Sequence, residues 1–102
     1  MLVKMEEAIK LIRKNELLKE WSDGQIATGI TQAIKDFAFS YTVDENYRID
    51  GIVFGKWHSK EIIHISCLIG KFNVFLEFLK SNFPNCKKIV AMRNGVHKEY
   101  NI

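Results

Sequence analysis

Between Glu61 and Phe83 the apolar pattern of the chain changes period once, at the junction Leu68-Ile69-Gly70-Lys71-Phe72. Before it, Glu61 to Ile69 is a nearly continuous apolar run of the kind a central strand needs. After it, Phe72, Phe75, Leu76, Leu79 and Phe83 recur at helical spacing until Pro84-Asn85 stops them. A strand that passes through one glycine into an amphipathic helix restricts the chain to folds in which that helix packs back on a sheet. Lys87 to Arg93 supplies the next strand, and the helix becomes a crossover that can lay it parallel to Glu61–Ile69. Junctions of this kind are also where many α/β proteins hold the phosphates of a nucleotide or coenzyme.

Upstream, Met5, Ala8, Ile9 and Ile12 predict a helix from Val3 to about Arg13, with Glu6 and Glu7 near its start and Lys10, Arg13 and Lys14 toward its end, the order that suits the helix dipole. Leu17, Leu18 and Trp21 add a short apolar turn. Ser22-Asp23-Gly24 breaks the chain, and Ser22 or Asp23 caps a second helix whose inward face is Ile26, Ile30, Ala33 or Ile34, and Phe37. Phe37, Phe39, Tyr41 and Val43 then alternate as in a strand with one covered face. Asp44-Glu45-Asn46 is turn chemistry, and Tyr47 to Trp57 is the next strand, with Tyr47, Ile49, Gly51, Val53, Gly55 and Trp57 on one face and Ile52 and Phe54 on the other. After the crossover helix, Asn94-Gly95 is a type I′ hairpin signal leading into a last strand from Val96 to Tyr100. The expected fold is α+β, in the order α-α-β-β-β-α-β-β: an antiparallel three-stranded meander, a crossover helix and a C-terminal hairpin.

Dividing 102 residues between two domains would leave each with too little core to offset its conformational entropy, so residues 1–102 are expected to form one. Charges interrupt Leu2 to Trp21 at nearly every turn, which excludes a membrane span or signal segment there and makes a cytoplasmic or virion-associated setting the expectation. Cys67 and Cys86 form no C-x-x-C pair, His58, His64 and His97 are dispersed, and no metal-ligand spacing is visible. The net charge of +3 is uneven: residues 1–70 carry nine basic and ten acidic side chains, residues 71–102 six basic and two acidic. A basic end favours an anionic partner: a coenzyme phosphate, nucleic acid or an acidic protein surface.

The order of elements resembles the central part of the GCN5-related N-acetyltransferase fold, over roughly Val3 to Met92. The resemblance implies that the Glu61–Ile69 strand splays from the one after the helix and opens a notch for the pantetheine arm of acetyl-coenzyme A. It implies too that the loop holding Gly70 presents backbone amides to the pyrophosphate, which the family does through R/Q-x-x-G-x-G/A. Cys67-Leu68-Ile69-Gly70-Lys71-Phe72-Asn73 departs from that pattern. It has no Arg or Gln at the family position, no second small residue, and Phe72 where a close backbone approach is required. The helix and strands that close the family sheet, and often provide a tyrosine general acid, are replaced by one short strand ending at Asn101-Ile102. Reduced chains of this pattern look similar to bacteriophage open reading frames that keep the fold without an obvious coenzyme motif.

Three functions follow as expectations. The first is a non-catalytic protein-interaction or structural and regulatory module without a cofactor, its partner another protein in a virion or host complex. Twelve aromatics support it, with Trp21, Tyr41, Tyr47, Trp57 and Tyr100 expected to stay partly exposed. The second is an acetyl-coenzyme A-dependent N-acetyltransferase. Gly70, Lys71 and Phe72 would give amides to the coenzyme, Glu61 or His64 would act as base, and Tyr100 as acid. The third is nucleic-acid binding through Lys87, Lys88, Arg93, His97 and Lys98 on and around the terminal hairpin. The weakened coenzyme loop tips the expectation away from catalysis.

Overall fold

The computed structural model describes residues 4–93 and 96–102, so the Asn94-Gly95 turn and Val3 lie outside the described residues. Helix α1 (Met5–Lys14) buries Ala8 and Ile12, and helix α2 (Asp23–Lys35) buries Ile26, Ile30 and Ala33. Ser22 is the cap of α2. Its hydroxyl accepts from the Gln25 N–H at 3.1 Å while its own N–H donates to Gln25 Oε1 at 2.7 Å, so two otherwise orphaned amides are satisfied together. The turn between the helices is held by Arg13, whose guanidinium donates to the carbonyls of Leu18 and Trp21 and pairs with Asp23 at 2.8 Å. That clasp encloses Glu16 and Leu18, both in the left-handed region at φ 57° and 53°.

Five strands follow in one sheet: β1 (Phe39–Val43), β2 (Ile49–Trp57), β3 (Ile62–Ile69), β4 (Lys88–Arg93) and β5 (Val96–Asn101), with α3 (Phe72–Asn82) between β3 and β4. Their spatial order is their chain order. β1–β2, β2–β3 and β4–β5 are antiparallel and β3–β4 is parallel. The fold is therefore α+β with a mixed sheet, and the meander, crossover and terminal strand pair read from the periodicity are present. Helices α1 and α2 cover one face, where Trp21 meets the edge of Phe54 at 6.4 Å. The other face carries α3, with Phe83 just past its end packed on Trp57 at 4.9 Å. Between them Ile52, Phe54, Ile63, Leu79 and Ile89 are fully buried, each side chain contributing about 1.5–3 kcal/mol of transfer free energy.

Three expectations are corrected. Phe37 is not on the inner face of α2: Asp36 ends the helix, and Phe37 follows in the left-handed region (φ 57°) with its ring 73% exposed. The cause is a C-terminal cap. The Phe37 N–H bonds the Ile34 carbonyl and the Ala38 N–H reaches back to Ala33, a pattern that normally recruits glycine at this position. Strand β1 consequently begins at Phe39. Tyr47 likewise leaves its assigned strand face, standing in the β1–β2 turn at φ 59° and 79% exposed. Regular alternation on β2 also fails at its start, because Thr42 pairs with Gly51 and Val43 with Ile49, leaving Asp50 with no residue opposite it in the ladder, while its carboxylate accepts from the Thr42 hydroxyl at 2.7 Å.

A second irregularity positions the middle of the sheet. Phe54 pairs with Cys67 and Gly55 with Ile65, so Ser66 is the extra residue of β3. Gly55 is required there: a Cβ on it would overlap the His64 carbonyl oxygen and stand 3.0 Å from Ile65 Cα. Pairing of β3 with β4 runs from Ile62–Lys88 to Ile65–Ala91 and ends where Ser66 intrudes, although β3 continues to Ile69.

Candidate functional site

The junction read from the sequence forms as a strand end, a turn and a helix start. Gly70 adopts φ +116°, which side-chain-bearing residues rarely enter, and this lets β3 turn into α3. Lys71 is the N-cap and makes no side-chain capping bond. Its carbonyl takes the Val74 and Phe75 amides, while those of Phe72 and Asn73 have no protein acceptor among the described residues. A cavity of about 270 Å³ opens beside this turn, walled by Ser40, Thr42, Gly51, Leu68, Lys71 and Val74. Its walls come from β1, β2, β3, the Gly70-Lys71 turn and α3, so it lies on the meander side of α3, away from the line where β3 leaves β4. On that other side Phe72 packs its ring on Tyr100 of β5 at 5.1 Å and on Phe75 at 6.5 Å.

The residues read as an acetyl-transfer set are dispersed. Glu61 precedes β3, its carbonyl accepting from the Lys87 and Lys88 amides and its carboxylate 3.6 Å from Lys87 Nζ. Gly70 lies beyond the opposite end of that eight-residue strand, about 30 Å away at the usual rise. His64 is exposed and pairs across to Lys56 and Val90. Strand alternation puts it on the face opposite Ile63, whose row continues through Ile89 to Tyr100. A base at His64 and an acid at Tyr100 therefore stand on opposite faces of the sheet. Tyr100 is half-buried against Phe72, so the structure joins a candidate acid to a candidate loop residue by ring packing.

The basic group is divided in the same way. Lys87 faces Glu61 at 3.6 Å, Lys88 faces Glu99 at 3.8 Å, and His97 lies 3.5 Å from that same Glu99. Lys98 points to the other face of β5 by alternation, and the Arg93 side chain lies outside the described residues. Carboxylates thus stand beside Lys87 and Lys88, two of the lysines that the sequence offers to a phosphate backbone. Among the described residues no cluster of three or more His, Cys, Asp or Glu side chains could hold a metal ion, and no helix is long and apolar enough to cross a membrane. Cys67 and Cys86 are free and buried, and burial pushes the Cys67 thiol up to about 12.

Periodicity did not expose the contrast between the two sheet edges. β1, Phe39-Ser40-Tyr41-Thr42-Val43, has no charged residue, no proline and no glycine, and no strand pairs with its outer side among the described residues. The opposite edge, β5, carries His97, Lys98 and Glu99 in succession. Charges at an edge oppose pairing with another chain, and their absence permits it. Phe37 and Tyr47, the most exposed of the large apolar side chains described, stand at the two ends of β1. The signal was present in the uncharged run between Asp36 and Asp44, but only the strand order identifies that run as an edge. Comparison with protein-family models, with curated proteins and with solved structures finds no match to this chain.

Proposed function

We propose that the chain is a small acetyltransferase-like scaffold working as a non-catalytic interaction module, which takes up a protein strand along β1. The observation that carries this reading is the uncharged outer edge of β1 set between two exposed aromatics in left-handed backbone conformations, against the charged edge of β5. A non-glycine residue in that conformation costs about 1–2 kcal/mol. Two aromatics that carry this cost and gain little burial are poor choices for stability and good ones for contact, because exposed aromatic rings anchor interfaces. Dispersal of Glu61, His64 and Tyr100 supports the non-catalytic part of the reading.

N-acetyl transfer is the second reading, favoured by one feature: β3 and β4 cease to pair beyond Ile65 and Ala91, as the family resemblance implies. Against it stands Phe72, whose packing on Tyr100 occupies the β5 side of the loop that would receive the coenzyme. Titration with acetyl-coenzyme A, followed through the amide resonances of Gly70 to Asn73, separates the two. The interaction module gives no saturable shift up to about millimolar coenzyme. Saturation in the micromolar range, about −8 kcal/mol of binding, would overturn the non-catalytic reading.

A further inference from the structure

The partner of β1 can be specified further, on the reading that this edge is a binding surface. We infer that it pairs antiparallel with β1 of a second copy of the chain, across a two-fold axis at Tyr41, joining two five-stranded sheets into one.

Backbone directions give the first argument. The Ala38 carbonyl accepts from Gly55 at 3.0 Å and the Asp44 amide donates to Arg48 at 2.9 Å, so even-numbered residues of this segment turn their peptide groups toward β2. Alternation leaves the N–H and C=O groups of Phe39, Tyr41 and Val43 facing outward. A two-fold axis at Tyr41 sets Tyr41 against its own copy and Phe39 against Val43, each as a hydrogen-bonded pair. Every outward amide and carbonyl of the strand then finds a partner, with none left over. An isologous contact demands this self-complementarity, and a five-residue strand with an odd-numbered centre supplies it.

Side chains agree with that register. Phe39 and Tyr41 share the face of α1 and α2, their rings 5.9 Å apart, and the two-fold places Val43 of the second copy beside Phe39 and the two Tyr41 rings together. On the α3 face the facing residues are Ser40 and Thr42; the Thr42 hydroxyl donates to Asp50 Oδ1 at 2.7 Å and keeps lone pairs to accept from the Ser40 hydroxyl of the second copy. No like charges meet along the strand. Both favourable kinds of cross-strand pair are therefore used, apolar with apolar and hydroxyl with hydroxyl.

The ends of the strand extend the contact. Phe37 lies as far before Tyr41 as Glu45 lies after it, so each Phe37 comes to the Asp44–Tyr47 turn of the second copy, where the exposed Tyr47 stands. The side chains left most open in the single chain become the outer anchors of the pair. A short strand alone buries less than a durable dimer needs, and these two rings at each end enlarge it, which sets a weak, micromolar association rather than a permanent one. β5 is the poorer edge for such a contact, because self-pairing there would place His97, Lys98 and Glu99 along the seam, and an axis at Lys98 would bring two ammonium groups together.

Sedimentation velocity over a concentration series tests the proposal, with thermal melts to confirm folding of each variant. The wild-type chain is expected to pass reversibly from monomer to dimer in the micromolar range. Val43→Lys, on a half-exposed outward position, weakens that association at least tenfold, and Phe37→Ser weakens it several-fold. Lys98→Ala on the opposite edge leaves it unchanged. A wild-type monomer at all concentrations overturns the proposal, and so does a dimer indifferent to Val43→Lys or dissociated by Lys98→Ala. Were Val43→Lys unfolded, the wild-type series and Phe37→Ser would still decide. Failure here leaves coenzyme titration untouched, so loss of the self-pairing and loss of the non-catalytic reading are told apart.

Discussion

Replacing Gly55 with alanine tests how β3 is led away from β4. A Cβ at this position overlaps the His64 carbonyl oxygen and would lie 2.9 Å from that carbonyl carbon and 3.0 Å from Ile65 Cα. All three atoms belong to the backbone of β3, so no side-chain rotation relieves the clash. β2 and β3 must separate by more than an ångström at the centre of the sheet, which disrupts the neighbouring ladder bonds and the packing of Phe54 and Ile65. Overpacking of this kind costs about 1–3 kcal/mol, and two weakened backbone hydrogen bonds add about 1 kcal/mol each. Gly55→Ala should therefore remove about 3–5 kcal/mol, a large share of the 5–15 kcal/mol typical of a small domain. Urea denaturation followed by circular dichroism measures it directly, as a fall of the midpoint by about 2 M or more at unchanged slope. Gly24→Ala is the control. Its nearest neighbour would be Ser22 Oγ at 3.8 Å, an ordinary contact in the first turn of α2, and it should stabilise by about 0.5 kcal/mol. A loss below about 1 kcal/mol for Gly55→Ala would mean that β2 and β3 do not meet as described, and the bulge at Ser66 would go with them.

Three further outcomes follow. Arg13→Ala should cost about 2 kcal/mol by thermal melt, because two carbonyls and Asp23 lose one donor, and Arg13→Lys should restore little of it since an ammonium cannot reproduce the guanidinium fork. Tyr100→Phe should keep stability within about 0.5 kcal/mol while Tyr100→Ala loses about 2 kcal/mol, as expected of a ring packed on Phe72; a large effect of Tyr100→Phe would assign work to the hydroxyl. Cys67 has a folded pKa near 12 against an ordinary 9.0, so the folded chain holds its proton longer than the unfolded one. Its contribution is complete below pH 9 and is lost as pH rises toward 12, by up to about 1.4 kcal/mol per pH unit. The stability gap between wild type and Cys67→Ala should accordingly narrow between pH 8 and pH 10 in urea titrations, and a constant gap would contradict the buried thiol.

Element order was legible because each segment states its period locally. The alternation ending at Val43, the apolar run ending at Ile69 and the stripe from Phe72 to Phe83 do not depend on one another. What failed was decided by geometry between segments. Phe37 continues the apolar stripe of α2 on paper, yet the helix stops one residue earlier, and a cap that reaches back to Ala33 turns the ring outward. Tyr47 continues the alternation of β2, yet the ladder skips Asp50 and shifts the start of that strand. The site was less legible than the fold. The family resemblance gives Gly70 a place in a coenzyme loop, and its backbone conformation supplies a plainer reason for its presence. Only residue type groups Glu61, His64 and Tyr100, and no spacing in one sequence says which face of a sheet each will occupy. An edge has no signature of its own either: five uncharged residues in β1 look like a central strand until the sheet order leaves them with one neighbour.

Hydrogen exchange along β1, read residue by residue at rising protein concentration, tests the open edge most directly. The amides of Ser40 and Thr42, directed at β2, should be protected at every concentration. Those of Phe39, Tyr41 and Val43 should exchange rapidly in dilute protein and slow together as concentration rises through the micromolar range. Protection of those three at the lowest concentration, or fast exchange that no concentration slows, would contradict an edge that is open in the single chain and closed by a second copy.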